Sequence, residues 1–210
     1  MAITAKQRQK KLEKKNAKRV SVKKSRREVL LSKNKASAYA GFPIHECLVP
    51  KGLFELGIGN VIVTRRTPDD AIAVSAFLVD VQCLGVKDAL FRVMSEYEYE
   101  SDLKARLIAR EPDEWLDNVD VACVKKLIDG AIGYAGDLGF TPHRDYQKAK
   151  GIFDDVDADA CPVAYVYGKD GKPFYMRGPN ESIARAKAIV DQLKRKCGED
   201  NYDGIIILEP

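Results

Sequence analysis

Asn60-Val61-Ile62-Val63-Thr64-Arg65-Arg66-Thr67-Pro68-Asp69-Asp70-Ala71-Ile72-Ala73-Val74-Ser75-Ala76-Phe77-Leu78-Val79-Asp80-Val81-Gln82 is the stretch whose reading decides the fold class. Proline presets φ for a turn, and aspartate bonds back to nearby backbone. Thr67-Pro68-Asp69-Asp70 therefore reads as a turn between two β-rich runs, a hairpin signal. The second run is apolar on both faces. Ala71, Ala73, Phe77, Val79 and Val81 alternate with Ile72, Val74, Ala76 and Leu78. Such a strand belongs inside a sheet covered on both sides. Asp80 interrupts it with a carboxylate, which must find a partner because an unpaired charge there would cost several kcal/mol.

Outward from the hairpin, Ile44–Val49 and Ala89–Val93 read as further strands, and Glu96–Ala109 as a charged helix. Asp120 caps a helix running to Leu138, with Gly139 as its stop. Val121, Val124, Ile128, Ala131, Ala135 and Leu138 repeat on it at helical spacing, and Leu127 and Tyr134 widen the stripe, so this helix is central. A shorter helix follows over Arg144–Phe153. Val163–Tyr167 and Pro173–Arg177 flank Lys169-Asp170-Gly171, a second hairpin signal. Ile183, Ala186, Val190, Leu193 and Cys197 mark an amphipathic helix, and Gly204–Leu208 a closing strand. Strands come in hairpins and do not alternate strictly with helices. The expected fold class is α+β: a single domain with antiparallel hairpins and packed helices, preceded by a basic N-terminal arm.

The division of charge places that arm. Residues 1–35 hold 14 Lys/Arg against Glu13 and Glu28, a net +12; the rest of the chain holds 21 bases against 29 acids, a net −8. The expected organisation is an arm over 1–35, disordered or conditionally helical, a linker over 36–43 and a globular domain over 44–210. Ser25-Arg26-Arg27-Glu28 before Val29-Leu30-Leu31 is a capping-box pattern that would start a short helix in the arm. No apolar run nears the ~18 residues of a membrane span, and no signal-peptide core follows the first residues. The five cysteines, Cys47, Cys83, Cys123, Cys161 and Cys197, are scattered and odd in number. With only His45 and His143 to add imidazoles, they support no zinc site; they read as buried and reduced, which fits the cytoplasm. No cofactor is expected.

The arm carries the strongest functional signal. Lys6, Arg8, Lys10, Lys11, Lys14, Lys15, Lys18, Arg19, Lys23, Lys24, Arg26 and Arg27 would neutralise phosphates and release condensed counterions without needing a fixed fold. Lysines outnumber arginines ten to four in residues 1–35, and no aromatic is interleaved, which suits backbone neutralisation better than base reading. The bland alternative is a solubilising tail. Gly57-Ile58-Gly59-Asn60 is a tight turn rather than a phosphate loop, since a β pattern follows it. Asp80 and Asp88 are candidate acid/base or metal carboxylates; the alternative is a salt bridge of Asp80 to Lys87 or a hydrogen bond to a loop. Cys83 is a possible nucleophile, with burial the default. His143 and Asp145 open a helix and could hold an anion, a metal or a proton; the alternative is a capped helix start with a hydrogen-bonded His. Tyr165, Tyr167, Phe174 and Tyr175 beside Lys169, Lys172 and Arg177 could clamp RNA or could simply pack.

Phe77-Leu78-Val79-Asp80-Val81-Gln82-Cys83-Leu84-Gly85-Val86-Lys87-Asp88-Ala89 and Gly139-Phe140-Thr141-Pro142-His143-Arg144-Asp145-Tyr146 resemble segments of an uncharacterised family of bacterial proteins that also begin with a Lys/Arg-rich arm. The resemblance runs from Ile44 onward. It implies a bacterial cytoplasmic origin and carries over no catalytic residue. Two functions are expected from the sequence. The first is a nucleic-acid-associated protein, binding RNA or the ribosome rather than DNA through its arm, with a possible protein partner for the acidic domain and no membrane. The alternative is a metal-assisted hydrolase of nucleic acid or a phosphoester, using Asp80, Asp88, His143 and Asp145.

Overall fold

A computed structural model describes residues 35–108 and 116–205. The arm expected over 1–35, its capping box and all twelve of its candidate phosphate contacts lie outside the described residues, apart from Lys35 at its end. Five strands form an antiparallel sheet: β1 (Ile44–Pro50), β2 (Ile58–Arg66), β3 (Ala71–Asp80), β4 (Gly85–Ser95) and β5 (Leu116–Asn118), in the order β4-β3-β2-β1-β5. The β2–β3 hairpin turns at Thr67–Asp70, where the Thr67 backbone and hydroxyl bond to Ala71 and Asp70 takes a positive φ of 57°. Val63 pairs with Ser75 and Val61 with Phe77.

The alternation read in β3 is realised on both faces. Ala73, Phe77 and Val79 pack with Val124, Leu127, Ile128 and Ala131 of the long helix and with Tyr146, Ile152 and Phe153. Ile72, Val74 and Ala76 pack on the opposite face with Leu48, Ile62 and Tyr99. Tyr99 lies in the run expected as the helix Glu96–Ala109, which here comprises α2 (Glu96–Glu98), a π-turn over Tyr99–Lys104 and α3 (Ala105–Ile108); a single turn, α1 (Leu53–Leu56), precedes β2. Wider π geometry carries the fully buried Tyr99 onto the sheet, where its hydroxyl donates to Glu46.

The long helix, α4 (Val121–Asp137), begins as read from the sequence. The Asp120 carboxylate caps the Ala122 N–H at 2.8 Å, and Gly139 follows the C-cap Leu138 with φ 87°. Arg144–Phe153 becomes a turn of α-helix, α5 (Tyr146–Ala149), and a 3-10 turn over Lys150–Phe153. The amphipathic helix α6 (Ile183–Cys197) buries Ala186, Ile189 and Leu193 against Cys83, Leu138 and Tyr175, a second core beside the sheet. Ile183, at the start of its expected stripe, is exposed.

Three expectations are corrected. Residues 36–43 are not a linker. Ala36–Tyr39 forms a 3-10 turn with Ala36 fully buried, and Gly151 lies so close that a Cβ there would meet the Ser37 nitrogen at 2.6 Å. Arg65, itself buried, donates to Phe42 O at 2.6 Å and Ile152 O at 3.0 Å and pairs with Asp155, locking the segment to the sheet. The second hairpin does not form either. Val163–Tyr167 is not a strand; Tyr165 stacks on Phe54, and the Tyr167 hydroxyl donates to Leu127 O at 2.9 Å. Only a Lys169–Lys172 bridge survives, and β6 (Phe174–Met176) pairs in parallel with β7 (Asp203–Ile205) instead. Finally, the cysteines are not all reduced: Cys123 on α4 and Cys161 form a disulfide, 38 residues apart.

Ile128 is fully buried on α4, so Ile128→Asp should cost at least about 4 kcal/mol and abolish cooperative melting; a circular-dichroism melt at the wild-type midpoint would overturn that placement. Closing a loop across 38 residues implies that reduction costs about 3–4 kcal/mol. A denaturant midpoint that falls with reductant in the wild type, and is insensitive in a Cys123→Ser, Cys161→Ser protein, is the expected result.

Candidate functional site

Strand β3 ends at Asp80, whose carboxylate is buried and accepts the backbone N–H groups of Gln82 at 3.0 Å and Cys83 at 2.8 Å. This is the loop hydrogen bond that the sequence offered as the alternative to a catalytic role. The chain then turns through Gly85, at φ 67°, where an added Cβ would sit 3.0 Å from Ala135 Cβ and 3.1 Å from Ala131 O, so β4 starts hard against α4. Other segments converge on the same turn. Val81 N–H bonds to Gly57 O, Gly168 N–H to Val81 O and Phe174 N–H to Gln82 O, while the Gln82 amide donates to Phe54 O. Gly57 is a left-handed cap for α1, with no room for a side chain beside Gln82. The tight turn expected over Gly57-Ile58-Gly59-Asn60 shrinks to Gly57 alone, because Ile58, Gly59 and Asn60 already pair with β3 as the start of β2.

Two adjoining cavities open beside this turn. The first, about 420 Å³, has apolar walls from Leu56, Ile58, Leu78, Phe174 and Met176, with Asp80, Gln82 and Asn60 among its polar groups. Leu56, Ile58 and Met176 stay 53%, 36% and 50% exposed, an apolar rim on an otherwise charged surface. The second, about 440 Å³, is lined by Thr141, His143, Ser182 and Arg185 among others. Lys87, Asn180 and Glu181 belong to both. Lys87 Nζ pairs with Glu181 Oε1 at 3.2 Å, both side chains largely buried. Glu181 Oε2 accepts the Tyr175 hydroxyl at 2.9 Å and Gly178 N–H at 3.0 Å. Burial pushes the Glu181 carboxyl up, but the Gly178 N–H, Lys87 and Tyr175 outweigh it and hold the group below the usual range.

The four expected hydrolase residues do not form one centre. His143 Nδ1 lies 3.4 Å from Asp88 and 3.8 Å from Asp145, whereas Asp80 is engaged with its own loop and opens on the first cavity. Asp145 is drawn to Lys148, which lowers its carboxyl below the usual range, and Asp88 is mostly exposed. Among the described residues, the one trio of ligand atoms within 4.8 Å is His45, Glu46 and Glu100. Lys104 already neutralises it, lying 3.0 Å from Glu46 and 3.2 Å from Glu100. Cys83 is fully buried and its thiol pushed up by desolvation, the opposite of an activated nucleophile.

The aromatic and basic residues read as a possible RNA clamp are mostly committed inside the fold. Tyr165 and Tyr167 pack on Phe54 and α4, Tyr175 is buried, and Lys172 bonds to Asp200 O. Phe174, with Lys169 over its ring at 4.4 Å, opens on the first cavity. The Lys87–Glu181 pair and Arg185 were missed in the sequence; Lys87 was considered there as a partner for Asp80, which it influences only through space. No helix among the described residues is long and apolar enough to cross a membrane. Searches against protein-family models, curated proteins and solved structures return no match.

Desolvation raises the Asp80 carboxyl from 3.8 to about 6, against the lowering effect of the Cys83 N–H, Lys87 and the Gln82 N–H. A raised folded pKa means that the native state holds the proton more tightly than the unfolded chain. The stability contributed by Asp80 is therefore complete below the unfolded pKa and is lost as pH rises through about 6. Relative to Asp80→Asn, which cannot titrate, the wild type should lose up to about 3 kcal/mol between about pH 4 and about pH 7. Urea unfolding of both proteins across that range measures it; a pH-independent difference would refute the burial argument.

Proposed function

We propose that this is a nucleic-acid-associated protein that engages RNA, free or in the ribosome, in preference to DNA, through the phosphate contacts of its arm. The observation that carries the reading is the separation of +12 over residues 1–35 from −8 over the remainder. Lysine-rich charge without interleaved aromatics favours counterion release over base reading, so the contact is of low sequence specificity. An acidic body is repelled by the polyanion and leaves its surface open to a protein partner. A bacterial cytoplasmic setting goes with this reading. The Cys123–Cys161 disulfide is the one feature in tension with a reducing compartment.

The anchoring of residues 36–43 supports the reading in one further respect: the arm joins the body through a packed turn rather than a loose tether. Full-length protein should bind single-stranded RNA at roughly 10⁻⁴–10⁻⁶ M at physiological salt, with log affinity falling by about 0.7 per log salt for each phosphate contacted. Removing residues 1–34 should eliminate most of that affinity while leaving the thermal transition of the domain in place. Fluorescence anisotropy decides it: equal affinity with and without the arm would dismiss the proposal.

A further inference from the structure

The two cavities beside the Asp80 turn differ in chemistry in a complementary way. The first has apolar walls and, at its inner side, the carboxyl of Asp80 and the amide of Gln82, each less than a tenth exposed. A nucleobase has this character: flat apolar faces and an edge of donors and acceptors. Purines and pyrimidines both stack on side chains such as Phe174 and are read along their edges by amides and carboxyls. Asp80 Oδ1 and the Gln82 amide N–H are already used within the turn, so a base edge would meet the remaining oxygen atoms of the two groups.

The second cavity is cationic and rich in donors. Arg185 lines it and has no ion pair among the described residues. Lys87 and His143 add nitrogen donors, and Thr141 and Ser182 add hydroxyls. Glu181 is its acid, already held by Lys87, the Tyr175 hydroxyl and the Gly178 N–H. A phosphate matches that set, with the arginine fork as its main contact. Lys87, Asn180 and Glu181 line both cavities, so an apolar-walled site and a cationic one lie side by side.

We propose that this cleft binds a nucleoside monophosphate, free or as the terminal nucleotide of an RNA, with the base in the first cavity and the phosphate in the second against Arg185 and Lys87. The proposal takes its ligand class from the nucleic-acid reading and deepens it: the arm holds any backbone, and the cleft holds one nucleotide. Asp80 and Gln82 bind the base edge, and Leu56, Ile58 and Met176 cover its faces from the rim.

The test is a calorimetric titration of the full chain with the four nucleoside 5′-monophosphates, with the matching nucleosides, ribose 5-phosphate and inorganic phosphate as part-ligands. At least one monophosphate should bind tenfold or more tightly than its nucleoside and than ribose 5-phosphate. Arg185→Ala should weaken the monophosphate at least tenfold and leave the nucleoside unchanged. Met176→Glu should weaken both the monophosphate and the nucleoside. Arg185 and Met176 are both exposed, so thermal melts should show these variants folded. Absence of monophosphate binding at millimolar concentration, inorganic phosphate binding as tightly as the monophosphate, or an Arg185→Ala protein with wild-type affinity would each overturn the proposal. A 5′-phosphorylated trinucleotide that displaces the monophosphate identifies an RNA end as the source; one that does not identifies the free nucleotide. Mononucleotide affinity and the salt-steep affinity for long RNA are separate measurements, so either reading can fail alone.

Discussion

The Asp80 carboxylate and the two N–H groups it accepts are the constraint from which the cleft side of the molecule follows. Strand β3 is buried on both faces and ends inside the protein, where the backbone groups of the turn need partners from the protein itself. A carboxylate at the last position solves this locally: one oxygen takes the Gln82 and Cys83 donors and reverses the chain within a few residues. The charged form is costly there, which is why burial drives its pKa upward; the donors and Lys87 offset part of that cost. Losing the acceptor would strand two buried N–H groups, each a penalty of roughly 1–3 kcal/mol. The α1 cap, the Gly168 turn and β6 all hang from backbone groups of this loop, so the cleft walls are set by the same bonds.

Arg65 plays the equivalent part on the other side of the sheet. A guanidinium almost without solvent needs partners, and each of the three Arg65 nitrogens has one among Phe42 O, Ile152 O and the Asp155 carboxylate. Three segments distant in sequence are thereby held in one place. One of them leads directly from the basic arm.

How much of this was legible in the sequence depended on whether a periodicity recorded it. Alternation in Ala71–Val81 gave the hairpin and its two-sided burial, and the 3.6-residue repeat with Asp120 and Gly139 gave α4 nearly to its ends. Residues 36–43 were misread because Ala, Ser and Gly mark both loose linkers and close backbone packing; Ser37 against Gly151 is the second case. Tyr165 and Tyr167 look like strand residues, yet their rings are spent on Phe54 and on the carbonyl of Leu127, and Gly130 of α4 is the space that admits Tyr167. Such a contact leaves no local pattern. Neither does the Lys87–Glu181 pair, whose members sit in a strand and in a loop far along the chain. Asp80 was recognisable as a charge needing a partner, but its partner was backbone, which sequence does not label.

Charge separation also bears on how arm and cleft would work together. Screening confines surface charge effects to about 8 Å at physiological ionic strength, so the −8 body and the +12 arm do not cancel at a distance; each acts on what lies beside it. Local charge therefore decides what a phosphate meets, and Lys87, Arg185 and His143 bring cations and donors together at the second cavity. Non-specific arm contact is weak, and a single nucleotide in an open cleft is weak as well. On the proposed reading, tethering changes the arithmetic: an RNA held by the arm near one end would present that end at an effective concentration in the millimolar range, and the second contact would become intramolecular. Two modest affinities would then combine into one that depends on salt through the arm and on the terminal nucleotide through the cleft. A lysine-rich arm suits phosphate neutralisation better than base reading, and the cleft has too few cations to hold a backbone, so each dependence would have its own source.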